Sequence, residues 1–129
     1  MEIDQFRTII RARDFDRSNR FYGETLGLPQ LSSWDNERGR GAMFQAGNGV
    51  IEILGPARGE EPDETYSNKG PRNKVGIVLL VPSAREVYDE LIFREKNIPG
   101  GLESGESGDL VFGTHDPDGV RIEFRESMQ

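Results

Sequence analysis

The sequence predicts an α+β fold built from two consecutive βαβββ modules. Three observations carry that expectation. Several short runs alternate apolar and polar residues with period two, the pattern of half-buried strands. Two other stretches carry apolar residues at helical spacing behind a capping residue. Finally, Ile51-Glu52-Ile53 is echoed by Ile122-Glu123-Phe124, each behind a Gly-containing turn. Arg7 precedes Glu52 by 45 residues and Gly76 precedes Glu123 by 47 (52 − 7 and 123 − 76), so corresponding first and last strands recur at nearly equal distances. A duplicated unit of this kind packs its sheets around a shared cleft, with helices on the outer faces.

In the first module, Phe6 to Ala12 reads as a strand with Thr8, Ile10 and Ala12 on one face and Arg7, Ile9 and Arg11 on the other. Asp14 or Asp16 can cap the following helix, in which Phe15, Phe21, Tyr22 and Leu26 recur at helical spacing until Gly27 stops it. Three strands follow: Pro29 to Trp34, Gly41 to Ala46 and Val50 to Leu54, joined by turns at Asn36-Glu37-Arg38-Gly39 and Gly47-Asn48-Gly49.

Periodicity then disappears from Gly55 to Asn73, which reads as a mobile linker or surface loop of Pro, Gly and charge. The second module opens on Val75 to Val81, apolar enough to be buried on both faces. Ser83 and Glu86 form a capping box ahead of a helix whose apolar face is Val87, Tyr88, Leu91 and Ile92. Strands near Leu102 to Glu106, Leu110 to Thr114 and Val120 to Phe124 complete it. Before the last strand, Asp116-Pro117-Asp118-Gly119 supplies turn chemistry, Pro fixing φ and Gly free to take φ > 0. The 129 residues thus form a single domain, with modules at about 1–55 and 74–129 and a linker at 56–73.

Composition narrows the function classes. With 34% hydrophobic and 30% charged residues and no apolar run of spanning length, membrane insertion is not expected. A net charge of −7 opposes binding to a phosphate backbone, so no nucleic-acid partner is expected. The chain has no Cys, hence no disulfide, thiolate nucleophile or Cys-based zinc site. MEIDQFRTII carries neither a basic leader nor an apolar signal core, which makes the cytoplasm the expected location.

Three stretches together resemble the vicinal oxygen chelate superfamily, which includes glyoxalase I, bleomycin-resistance proteins, extradiol dioxygenases and methylmalonyl-CoA epimerase. They are Asp14-Phe15-Asp16-Arg17-Ser18 leading into Phe21-Tyr22-Gly23-Glu24-Thr25-Leu26-Gly27-Leu28, then Ile51-Glu52-Ile53, then Asp116 through Phe124. The resemblance spans the chain and implies ferredoxin-like βαβββ modules, a U-shaped sheet around a cavity and a homodimer. In metal-dependent members a divalent ion is held by His, Glu or Gln from the first and last strand of each module. Those positions fall on Arg7, Glu52, Gly76 and Glu123 here. Arg stays protonated and Gly has no side chain, so two of the four cannot donate. No cofactor is expected, although the two carboxylates leave room for a weakly held Mg²⁺ or Mn²⁺.

Two function classes follow from the resemblance. One is a small-molecule-binding protein similar to the bleomycin-resistance branch, sequestering a drug or metabolite in a cavity lined by Arg7, Arg11, Trp34, Glu52 and Glu123, with Tyr66 as a lid residue. The other is a lyase, isomerase or epimerase with Glu123 as base, with or without metal; whether the chain is an enzyme stays open. Against either, Glu52 and Glu123 can be plain ion-pair partners of Arg7, Arg11 or Arg121. The acidic linker residues Glu60, Glu61, Asp63 and Glu64 keep a cationic ligand in play, since a bleomycin-resistance protein receives a cation in an acidic groove. His115 reads as a strand-end residue rather than a catalytic one, Phe44 as a cavity or core aromatic, and Gly105-Glu106-Ser107-Gly108 fails the nucleophile-elbow pattern at Asp109.

Overall fold

The computed structural model describes residues 1–66, 75–94, 98–105 and 108–126. In chain order it contains β1 (Phe6–Arg11), α1 (Phe15–Arg20), a π-helical turn (Phe21–Thr25), β2 (Gln30–Asn36), β3 (Gly39–Ala46), β4 (Gly49–Gly55) and a 3₁₀ turn (Glu64–Tyr66). There follow β5 (Gly76–Val81), α2 (Ala84–Phe93), β6 (Glu103–Ser104), β7 (Leu110–His115) and β8 (Arg121–Glu126). The chain divides into two compact units, Met1–Gly70 and Pro71–Gln129. Each carries one four-stranded sheet, ordered β1-β4-β3-β2 in the first and β5-β8-β7-β6 in the second. In both, the first strand runs parallel to the last and the remaining pairs are antiparallel. The fold is therefore α+β with the repeated βαβββ order that the sequence predicts.

In the first unit the period-two pattern sorts the sheet into two faces. Ile10, Ala42, Phe44, Ile51 and Ile53 are buried on the face that α1 covers, packing over β4 and β3. Asp14 caps α1 by accepting a hydrogen bond from the Arg17 amide at 3.2 Å. The helix does not run on regularly to Gly27. It widens into the π turn, closed by the Leu26 amide donating to the Phe21 carbonyl at 2.8 Å. The wider turn brings two successive aromatics inward: Phe21 and Tyr22 are both buried, edge to face at 5.0 Å, and Tyr22 reaches Phe44 with ring centroids 6.3 Å apart. Each such aromatic stabilises the fold by roughly 1.5–3 kcal/mol through burial alone. Phe44 is thus a core residue and does not line the open face.

The linker differs from its sequence reading over the residues described. Ala57 is buried, Arg58 pairs with Asp35 at 2.9 Å, and the Arg40 guanidinium donates to the Pro56 carbonyl while lying 5.0 Å above the Phe15 ring. The first half of this polar stretch is docked on β2 and β3 by arginines. Residues 67–74 lie outside the described residues.

In the second unit Ser83 caps α2, its hydroxyl accepting from the Glu86 amide at 3.2 Å. The helix packs over β7 and β8, where Tyr88 meets Phe112 edge to face and Phe112 stacks on Phe124 at 4.8 Å. Two expectations need correction. β5 is not buried on both faces: Val78 and Leu80 are 55% and 64% exposed. Among the described strands it lies at the edge, paired to β8, and α2 covers one face of the sheet. Ile92 likewise points away from the core at 44% exposure, leaving Leu91 as the buried residue of that turn.

The Asp116–Gly119 turn forms as read. The buried Asp116 carboxylate accepts from the amides of Asp118 and Val120, both at 2.8 Å, and Gly119 takes φ 85°.

Candidate functional site

On the face of the first sheet opposite α1, strand register assembles a site from alternate residues. β1 contributes Arg7, Ile9 and Arg11; their partners on β4 are Val50, Glu52 and Leu54. Across from those on β3 stand Gln45, Met43 and Gly41, and β2 adds Ser32 beside Met43 and Trp34 beside Gly41. Gly41 decides where the indole goes. A Cβ built there would overlap the six-membered ring of Trp34, so the ring lies across the β3 backbone and reaches from the edge strand toward β4.

Arg7 is held at this face by two partners. Its Nη1 donates to Glu52 Oε1 at 2.7 Å, while Nε and Nη2 donate to Gln5 Oε1 at 2.9 and 2.7 Å. The Glu52 side chain is only 10% exposed, and this charge-assisted contact compensates its desolvation. Arg11, at the far end of the strand, is exposed. Its charge reaches Asp63, whose carboxyl lies below the ordinary range mainly because the Thr65 hydroxyl and amide donate to it at 2.6 and 2.8 Å, with Arg11 a smaller cause. Ser32 Oγ is buried on this face without a hydrogen-bond partner among the described residues.

In the second unit Glu123 sits beside Val78 on β5 and Gly113 on β7. Its two oxygens face two guanidiniums, Arg121 at 3.7 Å and Arg125 at 3.3 Å, and Arg125 continues to Asp109 at 3.5 Å. Gly113 makes room for this arrangement, because a Cβ there would stand 2.7 Å from both terminal nitrogens of Arg121.

The structure therefore gathers Arg7, Arg11, Trp34 and Glu52 on one sheet face of the first unit. Glu123 has its own arginine partners in the second. Tyr66 ends the 3₁₀ turn of the linker, and His115 is exposed at the end of β7 opposite Arg121. Sequence reasoning missed Gln5 as the brace of Arg7, Arg125 as a partner of Glu123, and the two glycines under Trp34 and Arg121. Period two along β3 and β7 carried the glycine signal; Gln5 lies before the strand and had none. A separate open hollow of about 610 Å³, lined by Asp16, Asn19, Arg20, Gly23, Glu24, Leu28 and Gln30, shares no residue with these faces.

At the positions that the resemblance assigns to metal ligands, Arg7 is bonded to Glu52 in the first unit; in the second, Gly76 has no side chain and Glu123 is flanked by guanidiniums, so neither pair of residues suits a divalent ion. Among the described residues no group of three or more His, Asp or Glu side chains is arranged to hold a metal.

The sequence profile described as Glyoxalase/Bleomycin resistance protein/Dioxygenase superfamily matches residues 3–124. No curated protein matches. Among solved structures, a glyoxalase family protein from Bacillus anthracis is similar at 23% identity and TM-score 0.71, covering 99% of this chain and 98% of its own. A lactoylglutathione lyase from Agrobacterium tumefaciens is similar at 18% identity and TM-score 0.65, covering 95% and 92%. A glyoxalase/bleomycin resistance protein from Catenulispora acidiphila has 17% identity and TM-score 0.69, covering 96% and 98%. At these identities the structural likenesses speak for the fold alone.

Proposed function

The chain belongs to the glyoxalase/bleomycin resistance protein/dioxygenase superfamily, and from that premise we propose that it binds an organic small molecule without a metal ion. The observation that carries the reading is the 2.7 Å contact between Arg7 and Glu52. On the resemblance, Arg7 is a permanent cation at a position that holds a metal ligand in metal-dependent members, and its contact satisfies the Glu52 carboxylate, which supports a metal-free reading. The surface around it suits an apolar ligand: Ile9 is 46% exposed, and Met43, Leu54 and the Trp34 indole lie beside it.

Catalysis by Glu123 as base is the less favoured reading. A base must be free to accept a proton, whereas both oxygens of Glu123 face arginines. That arrangement supports a counter-ion role.

A thermal-shift screen tests the proposal, because any ligand of the native state raises its apparent stability. Organic compounds should raise the melting temperature in metal-free buffer. Stabilisation by Mn²⁺, Ni²⁺ or Zn²⁺ that disappears in Glu123→Ala would overturn the reading.

A further inference from the structure

We propose that the ligand of the first unit's sheet face is a flat, largely apolar monocarboxylate, with its carboxylate at Arg11 and its body on Leu54 beside the Trp34 indole. This rests on the small-molecule reading of the same face and adds the chemical class. The argument begins with charge. Among the described residues, β1 and β4 put two guanidiniums, Arg7 and Arg11, and one carboxylate, Glu52, on this face. Arg7 and Glu52 neutralise one another at 2.7 Å. Arg11 makes no ion pair with a described residue within 4 Å, and the carboxylate nearest in effect, Asp63, has its Oδ1 taken by Thr65. Asp63 therefore attracts Arg11 through space, but no described residue closes an ion pair on the guanidinium, which stands at the end of an apolar platform. An open guanidinium fork suits a single carboxylate, whose geometry it matches.

Register supplies the shape. Arg11, Leu54 and Gly41 lie side by side on β1, β4 and β3, and the indole covers Gly41. Neighbouring strands are roughly 4.8 Å apart, so about 10 Å separates the Arg11 and Gly41 backbones. That span accommodates a two-ring body between the guanidinium and the indole edge. Arg7 lies roughly 13 Å along β1 from Arg11, too far for one small anion to bridge both. The class also differs from the cation that the acidic linker suggests in the sequence.

The chain has one Trp, so its indole N–H gives a single resonance that reports on this face. Three isosteric probes, 2-naphthoate, 2-naphthalenemethanol and 2-naphthylmethylamine, would be titrated into ¹⁵N-labelled protein while that resonance and the melting temperature are followed. We expect naphthoate to bind at least tenfold more tightly than the amine, and Arg11→Gln to weaken naphthoate by about tenfold while leaving the alcohol unchanged. Arg11→Glu should reverse the preference, and Arg11 is exposed enough for both variants to fold. Binding of the alcohol or amine as tightly as the carboxylate overturns the anion inference and leaves the small-molecule reading standing. Failure of all three probes to move the resonance, together with an empty thermal-shift screen, overturns both.

Discussion

Trp34 lies across Gly41, with the six-membered ring where a β-carbon of residue 41 would be. Gly41→Ala should therefore lift the indole off the sheet. The overpacking should cost about 1–3 kcal/mol in chemical denaturation. Emission from the single Trp should shift to longer wavelength as the ring meets water. An unchanged spectrum would show that the indole is not seated on β3.

The pair formed by Arg7 and Glu52 predicts a non-additive result. Arg7→Met leaves a nearly buried carboxylate without its partner and should destabilise by about 1–3 kcal/mol. The double variant Arg7→Met/Glu52→Met should recover part of that loss, because no lone charge remains. Equilibrium urea unfolding of the single and double variants measures the coupling.

Asp63 gives the linker a local sensitivity to acid. Its carboxyl is held below the ordinary value of 3.8 by the Thr65 hydroxyl and amide. A lowered folded pKa means that the contribution is complete above the unfolded value and is lost as pH falls through the folded one. The Thr65 amide resonance should therefore titrate at lower pH than it would beside an ordinary aspartate. In Thr65→Val the Asp63 titration should move back toward its ordinary value.

Asp116 gives a contrast between two substitutions. Asp116→Ala removes the acceptor for the Asp118 and Val120 amides and should cost about 2 kcal/mol. Asp116→Asn keeps an acceptor oxygen in place and should cost less. Thermal unfolding of the two variants side by side checks this.

What the sequence made legible was whatever depends on neighbours along the chain. The alternation through Arg7, Ile9 and Arg11, the caps at Asp14 and Ser83, and the Asp116 turn are local, and each forms as read. What remained hidden depends on which strand lies beside which. Apolar composition made Val75 to Val81 resemble a central strand, but only the sheet order places β5 at an edge with Val78 and Leu80 open. The Arg58–Asp35 and Arg40–Pro56 contacts that dock the linker join residues 23 and 16 positions apart, and polar composition alone reads as loose chain. The candidate site was legible in membership, and Arg7 and Arg121 were among the partners expected for Glu52 and Glu123; which arginine meets which carboxylate, and the part of Arg125, came from the structure.

The two halves of the repeat keep the same carboxylate but neutralise it by different routes, Glu52 from the preceding parallel strand and Glu123 from its own strand. Substituting Arg7 would strand Glu52 alone, whereas substituting Arg121 or Arg125 would unbalance Glu123 alone. Each carboxylate thus answers to its own cations, and the two halves of the repeat can be perturbed one at a time.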